Sequence, residues 1–153
     1  MKQKYTFLLL FCCLVLLGGC SKSDEEGRKN ITGTVTLDGV KLEKGTIQIT
    51  PIETKAPPGA GATGGTVDIK DGKYELKKNL GLFAGTYSVR ISNKIIVNAR
   101  TGEPLEDMSL YMESGPGTYK PQDLLPAKYN TKTELTITVG EDKNQTHDFA
   151  LTK

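Results

Sequence analysis

His147 is the only imidazole in 153 residues, and the three cysteines stand at positions 12, 13 and 20. One histidine supplies neither a His-rich zinc site nor a histidine relay. Asp68 and Asp71, three apart before Gly72, offer oxygen ligands of the kind calcium takes. The alternate-position acids and distal Glu of an EF-hand loop are missing, so the pair reads as hairpin-turn chemistry. Glu103, Glu106, Asp107 and Glu113 form a loose acidic group that reads as solvated surface. No Gly-rich phosphate cradle opens a helix, and no serine sits in a nucleophile elbow. The remaining candidates bind rather than react. Tyr111, Tyr119 and Tyr129 lie among Gly- and Pro-containing breaks, where aromatic faces either stack on sugar rings and grip peptides or pin long loops down. The expectation is a protein without catalytic residues, metal or cofactor.

The charge balance is even-handed, with 20 Lys+Arg against 18 Asp+Glu and a net charge of +2. No basic stripe exists of the kind that neutralises phosphates, which argues against nucleic acid as a partner.

The cysteines belong to the N-terminus. Lys2 and Lys4 precede an unbroken apolar run from Phe7 to Leu17, followed by Gly18, Gly19 and Cys20. Eleven apolar residues are too few to span a bilayer, which needs about 20, but they suit the core of a secretory signal. Leu17-Gly18-Gly19-Cys20 looks like a bacterial lipobox, in which cleavage leaves Cys20 first and its thiol is acylated. Residues 1–19 are thus expected to be a lipoprotein signal peptide. Cys12, Cys13, Lys2 and Lys4 would leave with it, so that 18 basic side chains face 18 acidic ones and no disulfide is possible. Two or more acyl chains hold a protein at a membrane without basic residues. Residues 20–30, small and charged from Ser21 to Asn30, read as the lipidated cysteine and a solvated tether.

From residue 31 to 153 the periodicity is that of strands. Ile31, Gly33, Val35 and Leu37 alternate with Thr32, Thr34 and Thr36, stopping at the turn dipeptide Asp38-Gly39. Ile47 and Ile49 alternate with Thr46, Gln48 and Thr50, and Pro51 removes a ladder donor, so this strand is expected over about 45–52. Thr66 to Lys70 and Lys73 to Leu76 flank a second turn, Asp71-Gly72. Gly85 to Ile91 puts Tyr87, Val89 and Ile91 on one face. Glu134 to Val139 and Gln145 to Leu151 close the chain, the latter turning His147, Phe149 and Leu151 inward. Seven short strands separated by turn signals predict an antiparallel Greek-key sandwich. An insertion, residues 92–125, precedes the last two strands. Its apolar Ile95-Ile96-Val97 predicts that Lys94 to Ala99 extends the preceding strand or forms its own, with about a turn of helix between Leu105 and Met112. Unassigned stretches this long in compact domains are functional or disordered.

Gly33-Thr34-Val35-Thr36-Leu37-Asp38-Gly39, Lys44-Gly45-Thr46, Asp71-Gly72-Lys73-Tyr74 and Ala84-Gly85-Thr86-Tyr87 resemble, in order, the phrases of carboxypeptidase regulatory-like, transthyretin-like (prealbumin-like) domains. Leu125-Pro126-Ala127-Lys128-Tyr129-Asn130, with the Phe149 strand, looks like the version found in small planctomycete-type lipoproteins. The resemblance spans about residues 31–151 and implies a prealbumin-like sandwich. Transthyretin-like ureide hydrolases share that fold but use several histidines, which this chain lacks.

These readings converge on a non-catalytic, lipid-anchored module of a bacterial cell envelope, on the periplasmic side or at the outer membrane or cell surface. Its expected partners are the membrane, through the anchor, and an envelope protein or glycan. The alternative is an accessory part of a carbohydrate- or peptide-processing system with its site in the 92–125 insertion.

Overall fold

The computed structural model describes residues 27–60 and 64–153. The leader, Cys20 and most of the tether lie outside the described residues. The elements are β1 (Asn30–Leu37), β2 (Val40–Lys41), β3 (Lys44–Thr54), β4 (Gly65–Lys70), β5 (Lys73–Leu76), β6 (Gly85–Ser92), β7 (Lys94–Asn98), a helix α1 (Met108–Glu113), β8 (Tyr119–Asp123), β9 (Thr136–Val139), β10 (Asn144–Thr146) and β11 (Phe149–Leu151). Short 3-10 turns cover Lys78–Leu80 and Ala127–Tyr129. The fold is an all-β sandwich made by one curled sheet, ordered β10-β1-β5-β4-β3-β6-β9, with β2 and β11 also on β1.

Both Asp-Gly dipeptides make the turns their chemistry favours. Asp38 and Gly39 have φ of 52° and 81°, and Asp71 and Gly72 have 51° and 74°. Two successive positive φ values match the right-handed twist of the flanking strands. Alternation then sorts the side chains. Ile31, Val35, Ile47, Ile49, Ile69, Tyr87, Val89 and Ile91 fill the interior, joined by Phe149 and Leu151. Tyr87 is buried with its hydroxyl donating to the Phe83 carbonyl at 2.9 Å. β3 runs past Pro51. Its pairing with β4 stops at Ile49, but its pairing with β6 continues to Thr54 through a register shift between Pro51 and Glu53. A bulge accommodates the missing proline donor that was expected to end the strand.

Pairing is antiparallel throughout except at β1, whose partners β10 and β11 run parallel to it. Alternation fixes which face is buried but not strand direction, so this pairing is invisible to it. The expected last strand is broken in two at His147. The lower half of β1 lies between β5 and β10, and its upper half between β2 and β11. Where partners change, β1 has Gly33. A Cβ there would collide with the carbonyl oxygen of His147 and press on the Tyr74 ring. The His147 amide donates to Thr32 O at 2.9 Å. The Tyr74 hydroxyl donates to the His147 carbonyl at 2.7 Å, and Asp148 Oδ1 accepts from the Thr34 amide at 2.6 Å and hydroxyl at 2.8 Å.

The domain begins earlier than the tether assignment allowed. Arg28 and Lys29 are buried. Arg28 lies over the Phe83 ring at 4.9 Å and donates to Gly81 O at 2.9 Å. Lys29 donates to Glu141 O at 2.6 Å. Their aliphatic stems cover apolar surface while the heads find carbonyls.

Following the register, Asn30, Leu76, Gly65, Thr54, Gly85 and Val139 lie at one end of the sandwich, and Leu37, Lys70, Lys44 and Ser92 at the other. The chain enters at the first end. The insertion leaves from the second, at Ser92.

Because the close approach of the His147 carbonyl requires a bare backbone at Gly33, Gly33→Ala is expected to cost about 2 to 3 kcal/mol as overpacking. It should appear as a lower urea midpoint with an unchanged m-value. Stability within about 0.5 kcal/mol of wild type, the range of a neutral surface change, would contradict this close approach as described.

Candidate functional site

Residues 92–125 form a small unit of their own. β7 and β8 pair as a separate two-stranded sheet, with Lys94 opposite Asp123 and Asn98 opposite Tyr119. A separate strand over Lys94 to Asn98 matches one of the two expected outcomes. Asn98 turns the chain, its Oδ1 accepting from the amides of Arg100 and Thr101. The segment then returns along β7, Leu105 donating to Ile96 O. Asp107 caps α1 by accepting from Ser109 N at 2.8 Å, and this bond holds its carboxyl below the usual range.

Nothing on α1 is buried. Met108, Leu110, Tyr111 and Met112 are 61%, 49%, 44% and 78% exposed. Met108, Tyr111 and Met112 share one face of the helix, an exposed apolar face of the kind that marks an interaction site. Glu106, Asp107 and Glu113 flank it. The expected tyrosine trio divides. Tyr111 and Tyr119 meet, ring centroids 6.1 Å apart. Tyr129 does not join them: it is buried in the core, its hydroxyl accepting from Thr152 N at 2.9 Å. It serves as the pin, and of the three only Tyr111 and Tyr119 come together in the insertion.

At the base of the insertion lies a groove of about 490 Å³ over the outer faces of β3, β4 and β6. Thr66, Gln48 and Arg90 are aligned across the three strands, and Thr46 faces Ser92 one row along. Lys94 and Asp123 come from the insertion. Asp123 Oδ1 accepts from Asn93 N and Leu125 N, both at 3.0 Å, clamping the ends of the insertion together. Asn130, at the groove wall, is spent on the Leu125 and Pro126 carbonyls. Sequence reading missed the groove because Arg90 and Gln48 look like ordinary outward positions of two separate strands; only the register brings them together.

A larger and more open depression, about 760 Å³, spreads over β1, β4 and β5. Its charges are mixed, Lys70 and Lys73 with Asp68, Glu75 and Asp148, and Asp148 is already engaged by Thr34. Asp71 lies in the β4–β5 turn, as its backbone preference predicts. Among the described residues, no three His, Cys, Asp or Glu side chains are grouped to hold a metal.

His147 is half-buried, and its Nε2 is buried without a hydrogen-bond partner among the described residues. Among the described residues His147 is engaged through its backbone, its amide donating to Thr32 and its carbonyl accepting from Tyr74, and not through its imidazole. Desolvation lowers its pKa, against a smaller opposing effect of Asp148. Hydrogen bonds from Thr34 in turn hold the Asp148 carboxyl low.

No protein-family model matches the chain, and no curated protein matches it. Among solved structures, an (S)-allantoin synthase overlaps 84% of this chain and 42% of its own, with 16% identity and a TM-score of 0.43. A 9R-lipoxygenase from Cyanothece PCC8801 overlaps 84% of this chain and 17% of its own, with 15% identity and a TM-score of 0.35. The chain thus spans less than half the length of either. Likeness this slight bears on neither chemistry nor ligand.

The half-buried imidazole sets a pH dependence. With the folded pKa below the unfolded value of about 6.5, the unfolded chain binds the proton first as pH falls. Stability is therefore expected to decline below about pH 6.5 in the wild type, and less steeply in His147→Leu, in denaturation midpoints measured across pH 7 to 5. Equal slopes for the two proteins would show that His147 is not the group responsible.

Proposed function

We propose that this protein is a non-catalytic, lipid-anchored module of a bacterial cell envelope, of the transthyretin-like type its sequence resembles, with a binding role. The observation that carries the reading is the separation of its two ends. The chain enters the sandwich at Asn30, and the insertion with its exposed Met108, Leu110, Tyr111 and Met112 departs from the opposite end at Ser92. A protein tethered through Cys20 would hold that apolar surface away from its own lipid. Acid residues on both flanks of α1 make anionic lipid a poor partner for it and favour a surface that combines an apolar patch with basic side chains. Its partner in this reading is an envelope protein or glycan.

The second reading, an accessory part of a carbohydrate- or peptide-processing system, draws support from the polar groove at the base of the same insertion. Both readings share the anchor and the insertion. They differ in whether the ligand is passed to another active site.

Replacing Cys20 by Ala removes the thiol that would be acylated. In membrane fractionation the variant is expected in the soluble fraction while the wild type remains with the membrane. Cys20→Ala protein that stays membrane-bound would overturn the anchor.

A further inference from the structure

The groove at the base of the insertion carries a charge that the fold does not use. Neither Arg90 nor Lys94 makes a side-chain hydrogen bond or ion pair with any described residue. The groove's lining holds two cations against one carboxylate, Asp123, whose Oδ1 is held by two backbone amides. Arg90 stands in register beside the Gln48 amide, with the hydroxyls of Thr66, Thr46 and Ser92 on the same outer face.

We propose that this groove binds a carboxylate-bearing sugar, a uronic-acid unit of an acidic glycan. A planar guanidinium with five donors matches a carboxylate bidentately, and Lys94 adds a second positive point at the rim. A sugar ring presents hydroxyls that both give and accept hydrogen bonds. The threonine and serine hydroxyls and the Gln48 amide are the side chains that answer in kind. Beyond its carboxylate, a peptide is commonly gripped through apolar pockets for its side chains, and here only Pro121 is apolar among the lining residues. The chemistry therefore favours sugar over peptide. The proposal deepens the binding role given above, and it is independent of the anchor. Cys20→Ala protein is expected to bind the glycan unchanged, so either claim can fail without the other.

The test is titration calorimetry on the full-length protein in detergent with three probes: an oligogalacturonate, a neutral oligoglucose of the same length, and trialanine with a free carboxyl terminus. Oligogalacturonate is expected to bind, and to bind more weakly as ionic strength rises. The neutral oligosaccharide is expected not to bind. Arg90→Gln should weaken oligogalacturonate at least about tenfold, the scale of one lost charge-assisted contact. Arg90→Lys should weaken it less, and both variants should keep the wild-type melting temperature because Arg90 has no partner to lose. The proposal is overturned by equal binding of the neutral chain, by affinity unchanged in Arg90→Gln, or by no binding of oligogalacturonate. Trialanine binding as tightly would also overturn it, making the groove a peptide-carboxylate site.

Discussion

The C-terminal strand runs along one edge of β1 and bulges over it at His147, where β1 carries no side chain, and the architecture depends on that close approach. The carbonyl of His147 occupies the space a Cβ at Gly33 would need. Tyr74 donates to that same carbonyl from the neighbouring strand. With the backbone pinned, β10 covers one half of β1 and β11 the other. Phe149 and Leu151 then enter the core, and Phe149 meets the Tyr74 ring, centroids 6.2 Å apart. The cost is a buried imidazole nitrogen left without a partner, an arrangement sustained only where the surrounding contacts outweigh it.

From that closure follows the division of faces. Apolar side chains of β1, β3, β4, β6 and β9 turn inward, while Thr, Ser, Gln and Arg side chains of the same strands turn outward. The outer face is polar without being spent. Its Arg90 faces a groove and makes no ion pair with a described residue, and the insertion, with its own two-stranded sheet, builds one wall. Strand direction settles the rest of the geometry: the start of β1 and the end of β6 lie at opposite ends, separating the proposed anchor from the insertion.

Much of this was legible in the sequence. Asp38-Gly39 and Asp71-Gly72 announce turns whose backbone is disfavoured for most residues, and period-two alternation announces which side chains are buried. What the sequence concealed are relations between distant segments. Gly33 reads as one more small inward position until the strand above it is known. Arg28 and Lys29 read as tether because a buried head group depends on carbonyls at Gly81 and Glu141. Tyr129 sits among loop residues yet closes the core, since its partner Thr152 is remote in sequence. Gln48, Thr66 and Arg90 become one row only through the register of three strands.

The orientation proposed for the anchored protein is tested most directly by fluorescence quenching on lipid vesicles. The lipidated chain would carry a single fluorophore on a cysteine placed at Met112 or at Lys143, and the quencher would sit in the lipid headgroup region. Lys143 lies at the anchor end, its carbonyl accepting from Asn30 N, and Met112 lies in the insertion. Quenching at position 143 with little at 112 is the result expected of a module holding its insertion away from the membrane. Stronger quenching at 112 would mean that the apolar helix enters the lipid and would contradict the proposed role.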